Sequence, residues 1–282
     1  MTLFLRQLWG EIVKMSARKR TYVGFAAFLG LEAGLVWILN TPQARRHFQR
    51  LIESSGFDFG EYWSMLTLAV LIISWTVFLL GGIYLALVMG DIVAKETEEG
   101  SFRLLMSRPV SRLRILLLKY AAGTIYTFAL ILFIGLTSLV VAALNRGWGG
   151  SLFIWAPEQG VFEMFGFADG LKRYLCALPL LALSTLTTAS IAFMFSCFKI
   201  KPATAAILAV TVNIVDMILI SLPFATGYRE FSLLNHMAVY AKSFAQPVPW
   251  ALLVREYVFL LGANATCFII GWLAFQTRDF KS

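Results

Sequence analysis

The stretch Asp91-Ile-Val-Ala-Lys95-Glu96-Thr-Glu98-Glu99-Gly100-Ser101-Phe-Arg103-Leu104-Leu105-Met-Ser107-Arg108-Pro109-Val110-Ser111-Arg112 lies between two long apolar runs. Its residue types predict a definite local order. Gly100 separates an extension of the preceding helix from a short helix after it, and Pro109 disfavours helix at Arg108 and so closes that short helix. Ser111 is then placed to cap the next long helix. Acids precede the short helix and bases follow it, with Glu99 and Arg103 at i, i+4 pairing distance. Such a helix, held between two membrane spans, is built to receive a push from a cytoplasmic partner.

Working outward, 59% of the 282 residues are hydrophobic and 14% are charged, a balance that would leave large apolar patches on any water-soluble domain. About 20 apolar residues cross a hydrocarbon core. Six segments qualify: Tyr22 to Asn40, Trp63 to Gly90, Tyr120 to Leu144, Tyr174 to Phe198, Ala203 to Leu222 and Tyr257 to Phe275. The predicted fold is all-α, a single polytopic membrane domain over residues 1–282, with an amphipathic segment at 1–21 and the charged loop at 91–112. Lys and Arg number 15 in the termini and the loops on their side, against nine in the other loops, so both termini are expected on the cytoplasmic side. The net charge of +8 thus reports topology and gives no reason to invoke nucleic acid.

Before the first span, Leu5, Leu8, Trp9 and Ile12 fall on one helical face and Gln7, Glu11, Lys14 and Arg18 on the other. That pattern suits a helix lying on the membrane surface. No small-residue cleavage site follows, so the first span is expected to remain in the mature chain. The outer loops, Thr41 to Tyr62, Asn145 to Arg173 and Pro223 to Glu256, are long for simple turns. The last, with Trp250 to Glu256, is compatible with interfacial or re-entrant helix.

The pattern E-x-E-x-G-[ST], then LL-x-S-x-P-V-S-R and a Lys some seven residues later, resembles the permeases of the ABC type 2 transporter family. The matching residues are Glu96, Glu98, Gly100, Ser101, Leu104, Leu105, Ser107, Pro109, Val110, Ser111, Arg112 and Lys119, with Glu98 and Glu99 both in position for the acid before the glycine. The tail Phe275-Gln-Thr-Arg278-Asp279-Phe280 is similar to the family's terminal F-x-x-[RK]-D. The resemblance implies that the loop, with Glu96, Glu98, Glu99, Gly100, Ser101, Arg103, Ser107, Pro109, Arg112 and Lys119, couples to a separate ATPase subunit. It also implies two such ATPase copies, a second permease chain as homodimer or related heterodimer, and a multi-pass place in the cell (inner or plasma) membrane.

The chain has no Gly-x-x-x-x-Gly-Lys-[Ser/Thr], so ATP and its Mg are expected on the partner. It has no HExxH or GxSxG, and neither of its two histidines, His47 and His236, is assigned a role, so no catalytic, cofactor or metal residue is expected. Cys176, Cys197 and Cys267 lie in or beside apolar spans and read as small hydrophobic residues. Glu32 and Asp216 fall well inside the first and fifth spans, where an acid costs about 2.5 to 3.5 kcal/mol if it faces lipid. Ala26, Gly30 and Gly34 form a small-residue stripe suited to helix packing, and Glu32 projects away from it. Asn213 and Asp216 share a face, with Ser184, Thr185, Thr187, Thr188 and Ser190 of the fourth span as expected partners. Glu32, Asn213 and Asp216 are therefore candidates for a substrate path or gate, or else buried helix-pairing groups. Two other readings stay open from residues alone: a stand-alone channel or secondary transporter, and a membrane-embedded scaffold or enzyme.

Overall fold

The structure, a computed structural model, describes residues 2–100, 111–224 and 226–277. Among them are helices α1 (Thr2–Ser16), α2 (Lys19–Leu39), α3 (Pro42–Glu53) and α4 (Phe59–Tyr62). There follow α5 (Met65–Glu98), α6 (Arg112–Arg146), α7 (Phe167–Ser196), α8 (Pro202–Ser221), α9 (Leu233–Met237) and α10 (Trp250–Gln276). Six of these, α2, α5, α6, α7, α8 and α10, are long and apolar enough to cross a membrane, with mean hydropathy between 1.8 and 2.5.

The helices outrun the apolar segments that predicted them. At 34 and 35 residues, α5 and α6 are each roughly 50 Å long, against a hydrocarbon core of about 30 Å. Their surplus lies on the side of residues 91–112, the loop side, where Asp91–Glu98 and Arg112–Lys119 continue the helices past the apolar runs. Gly100, at φ +71°, takes the left-handed conformation that ends α5, and its N–H bonds to the Thr97 carbonyl at 3.2 Å. Ser111 begins α6 as an N-cap, its hydroxyl accepting from the Arg114 N–H at 3.4 Å. The expected short helix, with Ser101, Arg103, Ser107 and Pro109, lies outside the described residues, as do Arg278, Asp279 and Phe280 of the tail.

The helix α7 is central. Of its most apolar window 72% is buried, against 22% for α8 and α10 and 28% for α2, whose remaining surface is apolar and faces outward. Of the expected stripe Ala26, Gly30, Gly34, the two glycines meet no neighbour among the described residues: a Cβ added at Gly30 or Gly34 would find nothing within 4 Å. Close approach occurs instead at Gly90, where a Cβ would stand 3.0 Å from the backbone nitrogen of Ala206 and so seats α5 against α8. Midway along α5, Val77–Gly81 forms a π-helical turn.

On the far side, the all-α expectation missed a hairpin. Strands β1 (Leu152–Ala156) and β2 (Val161–Phe165) pair antiparallel, Leu152 opposite Phe165, around Pro157–Gln159 and a left-handed Gly160. The Phe153 N–H donates to Thr67 Oγ1 at 2.9 Å, pinning the hairpin to the start of α5. Residues Trp250 to Glu256 are the continuous first turns of α10, not a separate re-entrant helix; the short helical segments precede them at Leu233–Met237 and Ala238–Phe244.

Replacing Gly90 by Val places methyl groups against Ala206 backbone that has no side chain to move aside. Overpacking of this kind costs about 1–3 kcal/mol, so the thermal midpoint of the detergent-solubilised chain should fall. Gly262→Val, where nothing lies within 4 Å, should leave that midpoint unchanged.

Candidate functional site

About one turn of helix before Gly100, Glu96 of α5 meets Lys119 of α6. Lys119 Nζ lies 2.8 Å from Glu96 Oε2 and 2.9 Å from Oε2 of Glu11 on α1, and Lys14 of α1 pairs with Glu96 in turn. The side chains of Lys119 and Glu96 are 1% and 2% exposed. An ion removed from water loses several kcal/mol of hydration, so Glu96 and Lys119 are tolerable here only because each finds its opposite, with the more exposed Glu11 and Lys14 completing the pairs. The cluster joins α1, α5 and α6.

This geometry adds inward contacts to the amphipathic reading of α1. Its polar face does not simply meet water: Glu11 and Lys14 turn inward to the cluster, Leu8 and Ile12 pack on the core, and Leu5, Trp9 and Val13 stay exposed on the other side. The helix therefore sits against α6 with a separate apolar edge outward. The i, i+4 spacing had shown two faces, but it carried no sign that Lys119, beyond Arg112, would claim the acid of one of them.

The remaining loop residues divide by exposure. Glu98 and Glu99 are exposed at the end of α5, and Glu99 reaches Lys95 at 3.6 Å. The pairing expected of Glu99 with Arg103 lies outside the described residues. Arg112 Nη1 donates to the Gln276 carbonyl at 2.8 Å, at the last turn of α10, where helix carbonyls lack backbone partners. The start of α6 is thereby tied to the end of the chain's last span.

The intramembrane polar residues are elsewhere. Glu32, fully buried, accepts from Ser138 Oγ at 2.9 Å and Thr137 Oγ1 at 3.0 Å, both on α6. Asn213 Nδ2 donates to Thr188 Oγ1 at 2.9 Å, joining α8 to α7 as the shared face suggested. Asp216 does not join that seam. It accepts from Tyr228 Oη at 2.7 Å, Ser232 Oγ at 3.0 Å and the Leu234 N–H at 2.7 Å, anchoring the far-side loop to α8. The bond to Asp216 pushes the Tyr228 phenol above its ordinary pKa, because losing that proton would set two anions together. His236 is buried instead of solvated, paired with Glu256 on α10, whereas His47 is exposed. Among the described residues no cluster of His, Cys, Asp and Glu suits a metal ion.

Residues 13–279 match the family model described as ABC-2 family transporter protein. The chain belongs to the ABC-2 transporter family. Over 122 residues it is also 29% identical to a Bacillus subtilis (strain 168) protein printed as "Uncharacterized protein YhcI". That match spans 42% of this chain and 38% of the relative. This ABC-2 chain is a multi-pass membrane permease component of an ABC transporter, and Lys14, Glu96 and Lys119 of the cluster lie within the matched region.

Two consequences follow for the permease. Lys119→Met removes the buried cation that Glu96 and Glu11 share and should cost about 3–5 kcal/mol; Glu96→Gln combined with Lys119→Met should recover much of the lost midpoint in a thermal unfolding series. Asp216→Asn turns an acceptor of three bonds into a partial donor, worth about 1–3 kcal/mol locally. Limited proteolysis should then cut between residues 223 and 249 faster, with the loop-side cleavage rate unchanged.

Proposed function

We propose that this permease belongs to an ATP-driven exporter and couples, through residues 91–112, to a separate ATPase subunit that binds ATP and Mg. The observation that carries the reading is the buried Glu96–Lys119 pair, joined by Glu11 and Lys14 of α1, immediately above the exposed Glu98 and Glu99. A docking subunit meets the exposed acids and the segment holding Ser101, Arg103, Ser107 and Pro109. Lys119 and Glu96 serve from within, because their buried charges are out of reach of a partner. A push on the loop is passed to α1, α5 and α6 together, since sliding one past another would separate buried charges. Arg112 extends the same body to the end of α10.

In the assembly we infer, two ATPase copies act on two permease chains, either identical or related. The outward apolar faces of α2, α8 and α10 supply surface for lipid and for the second permease. Both termini lie in the cytoplasm and the chain spans the cell membrane, in keeping with the Lys and Arg excess in the termini and the loops on their side. Asn213, Asp216 and Glu32 organise the helices along the path: Asn213 and Glu32 by pairing helices, Asp216 by holding the far-side loop.

The test is to purify the tagged chain from its native membranes in mild detergent, with Glu98→Lys plus Glu99→Lys beside the wild type. A soluble subunit carrying a Walker motif should accompany the wild type. The double reversal should reduce its recovery about tenfold or more, the factor given by 1.4 kcal/mol, while the permease keeps its thermal midpoint. A permease that arrives alone and transports after ATP depletion would refute the proposal.

A further inference from the structure

At the far end of α6, Arg146 holds two donors that meet no acceptor. Its Nε and Nη2 are out of reach of solvent, and neither has a hydrogen-bond partner among the described residues. The guanidinium lies 5.8 Å from the centroid of the Trp63 ring. Trp63, between α4 and α5, is 3% exposed, and its indole Nε1 also lacks an acceptor among those residues. Phe48 of α3 and Phe59 of α4 hold that ring, with centroids 5.0 and 5.5 Å away. Three buried donors thus stand unpartnered around one aromatic ring, although buried donors in folded chains are nearly always paired.

The charge around these donors is of one sign. Arg45, one turn before Phe48 on α3, is close enough for its charge to act on Arg146. Among the described residues it spends one N–H, on Asn40 Oδ1 at 3.1 Å. Arg46 and Arg50 are exposed on the same helix, whose first turn carries no acid to meet its positive end. The acids of residues 41–62 are engaged elsewhere: Glu53 accepts from Gln49 at 2.7 Å, Asp58 from the Glu61 N–H at 3.2 Å and Glu61 from Ser151 Oγ at 2.8 Å. None of the three pairs with an arginine among the described residues.

Trp37 near the end of α2 and Trp148 just past α6 are exposed on this side, and indole side chains settle at the boundary between hydrocarbon and water. The unpartnered donors therefore lie at the depth of lipid headgroups. We infer that Arg146, Arg45 and the Trp63 indole form a binding site for a phosphate group, carried by an anionic lipid of the far leaflet or arriving as the free ion. A guanidinium meets an edge of phosphate with two parallel N–H bonds, and a second guanidinium supplies further donors and balances the charge. A neutral headgroup would leave both cations without a counter-ion. The site lies across the membrane from residues 91–112 and shares no residue with the path, so it stands apart from the coupling proposal.

The full chain, purified without any ATPase in a phosphate-free buffer and an uncharged detergent, would be mixed with lipid and the retained lipid counted by native mass spectrometry. Wild type should hold phosphatidylglycerol about tenfold more tightly than dioleoylglycerol, which has no phosphate. Arg146→Gln and Arg45→Gln should each weaken phosphatidylglycerol binding about tenfold, the loss of a charge-assisted hydrogen bond. Arg255→Gln, at an exposed arginine of α10, should leave it unchanged. Arg45 is exposed, so Arg45→Gln should keep the wild-type thermal midpoint, and it decides alone if Arg146→Gln does not fold. If phosphatidylglycerol is held no better than dioleoylglycerol, or as well by Arg45→Gln as by wild type, the headgroup is not the ligand. The free ion is then the ligand only if inorganic phosphate raises the thermal midpoint of wild type and not that of Arg45→Gln. Failure of both arms overturns the assignment.

Discussion

The contact between Glu96 and Lys119 is the constraint to which the loop side of the molecule answers. Two ions almost wholly removed from water are stable only in one relative position, and that position fixes α5 against α6. Glu11 and Lys14 bring α1 to the same point, and Arg112 brings the end of α10. Apolar packing alone would set these helices less sharply, because lipid is as good a solvent for leucine as another helix is. Ion pairs in such a place add specificity of arrangement more than net stability, and a part that must move without changing shape needs that specificity.

Much of this was legible in the residues. Six apolar runs gave six spanning helices, and Gly100 and Ser111 ended and began helices where their backbone and capping chemistry said they should. The helix ends were not legible, because hydropathy registers where a helix leaves hydrocarbon and says nothing about where its hydrogen-bond ladder stops. The hairpin went unread although Leu152-Phe-Ile-Trp-Ala and Val161-Phe-Glu-Met-Phe flank a Pro and a Gly, a short-strand signal hidden inside a chain rich in the same residues everywhere. Of the site, Glu96 and Lys119 stood out through the resemblance of the loop to the permease family's motif. Their partners did not, since a charge facing inward and one facing water look alike in a helical pattern. Asp216 was read against the nearest polar helix in sequence, whereas its donors came from a loop 12 to 18 residues further on.

The far side uses polar contacts differently. Asp216 and Glu256 each hold part of the 226–244 segment to a spanning helix, and Thr67 holds the hairpin. Within hydrocarbon a helix satisfies its own backbone, but irregular chain must find partners in side chains or water. The buried Asp216 of α8 and the half-buried Glu256 of α10 provide them, which lets a loop without long helices pack down as a roof.

The π-helical turn at Val77–Gly81 has a consequence for how α5 tolerates change in length. On one side of it Thr67 is held by the hairpin; on the other, Glu96 is held by Lys119. That wide turn takes up one extra residue and keeps the angular phase between the two anchored halves, much as a shim sets two gears. Removing one residue here would let the wide turn relax to a regular helix with the anchors near their places, whereas adding one to a regular turn would, at 100° per residue, rotate one anchor away from its partner. Substitutions here are a matter of shape, but insertions are a matter of timing between the two faces of the membrane.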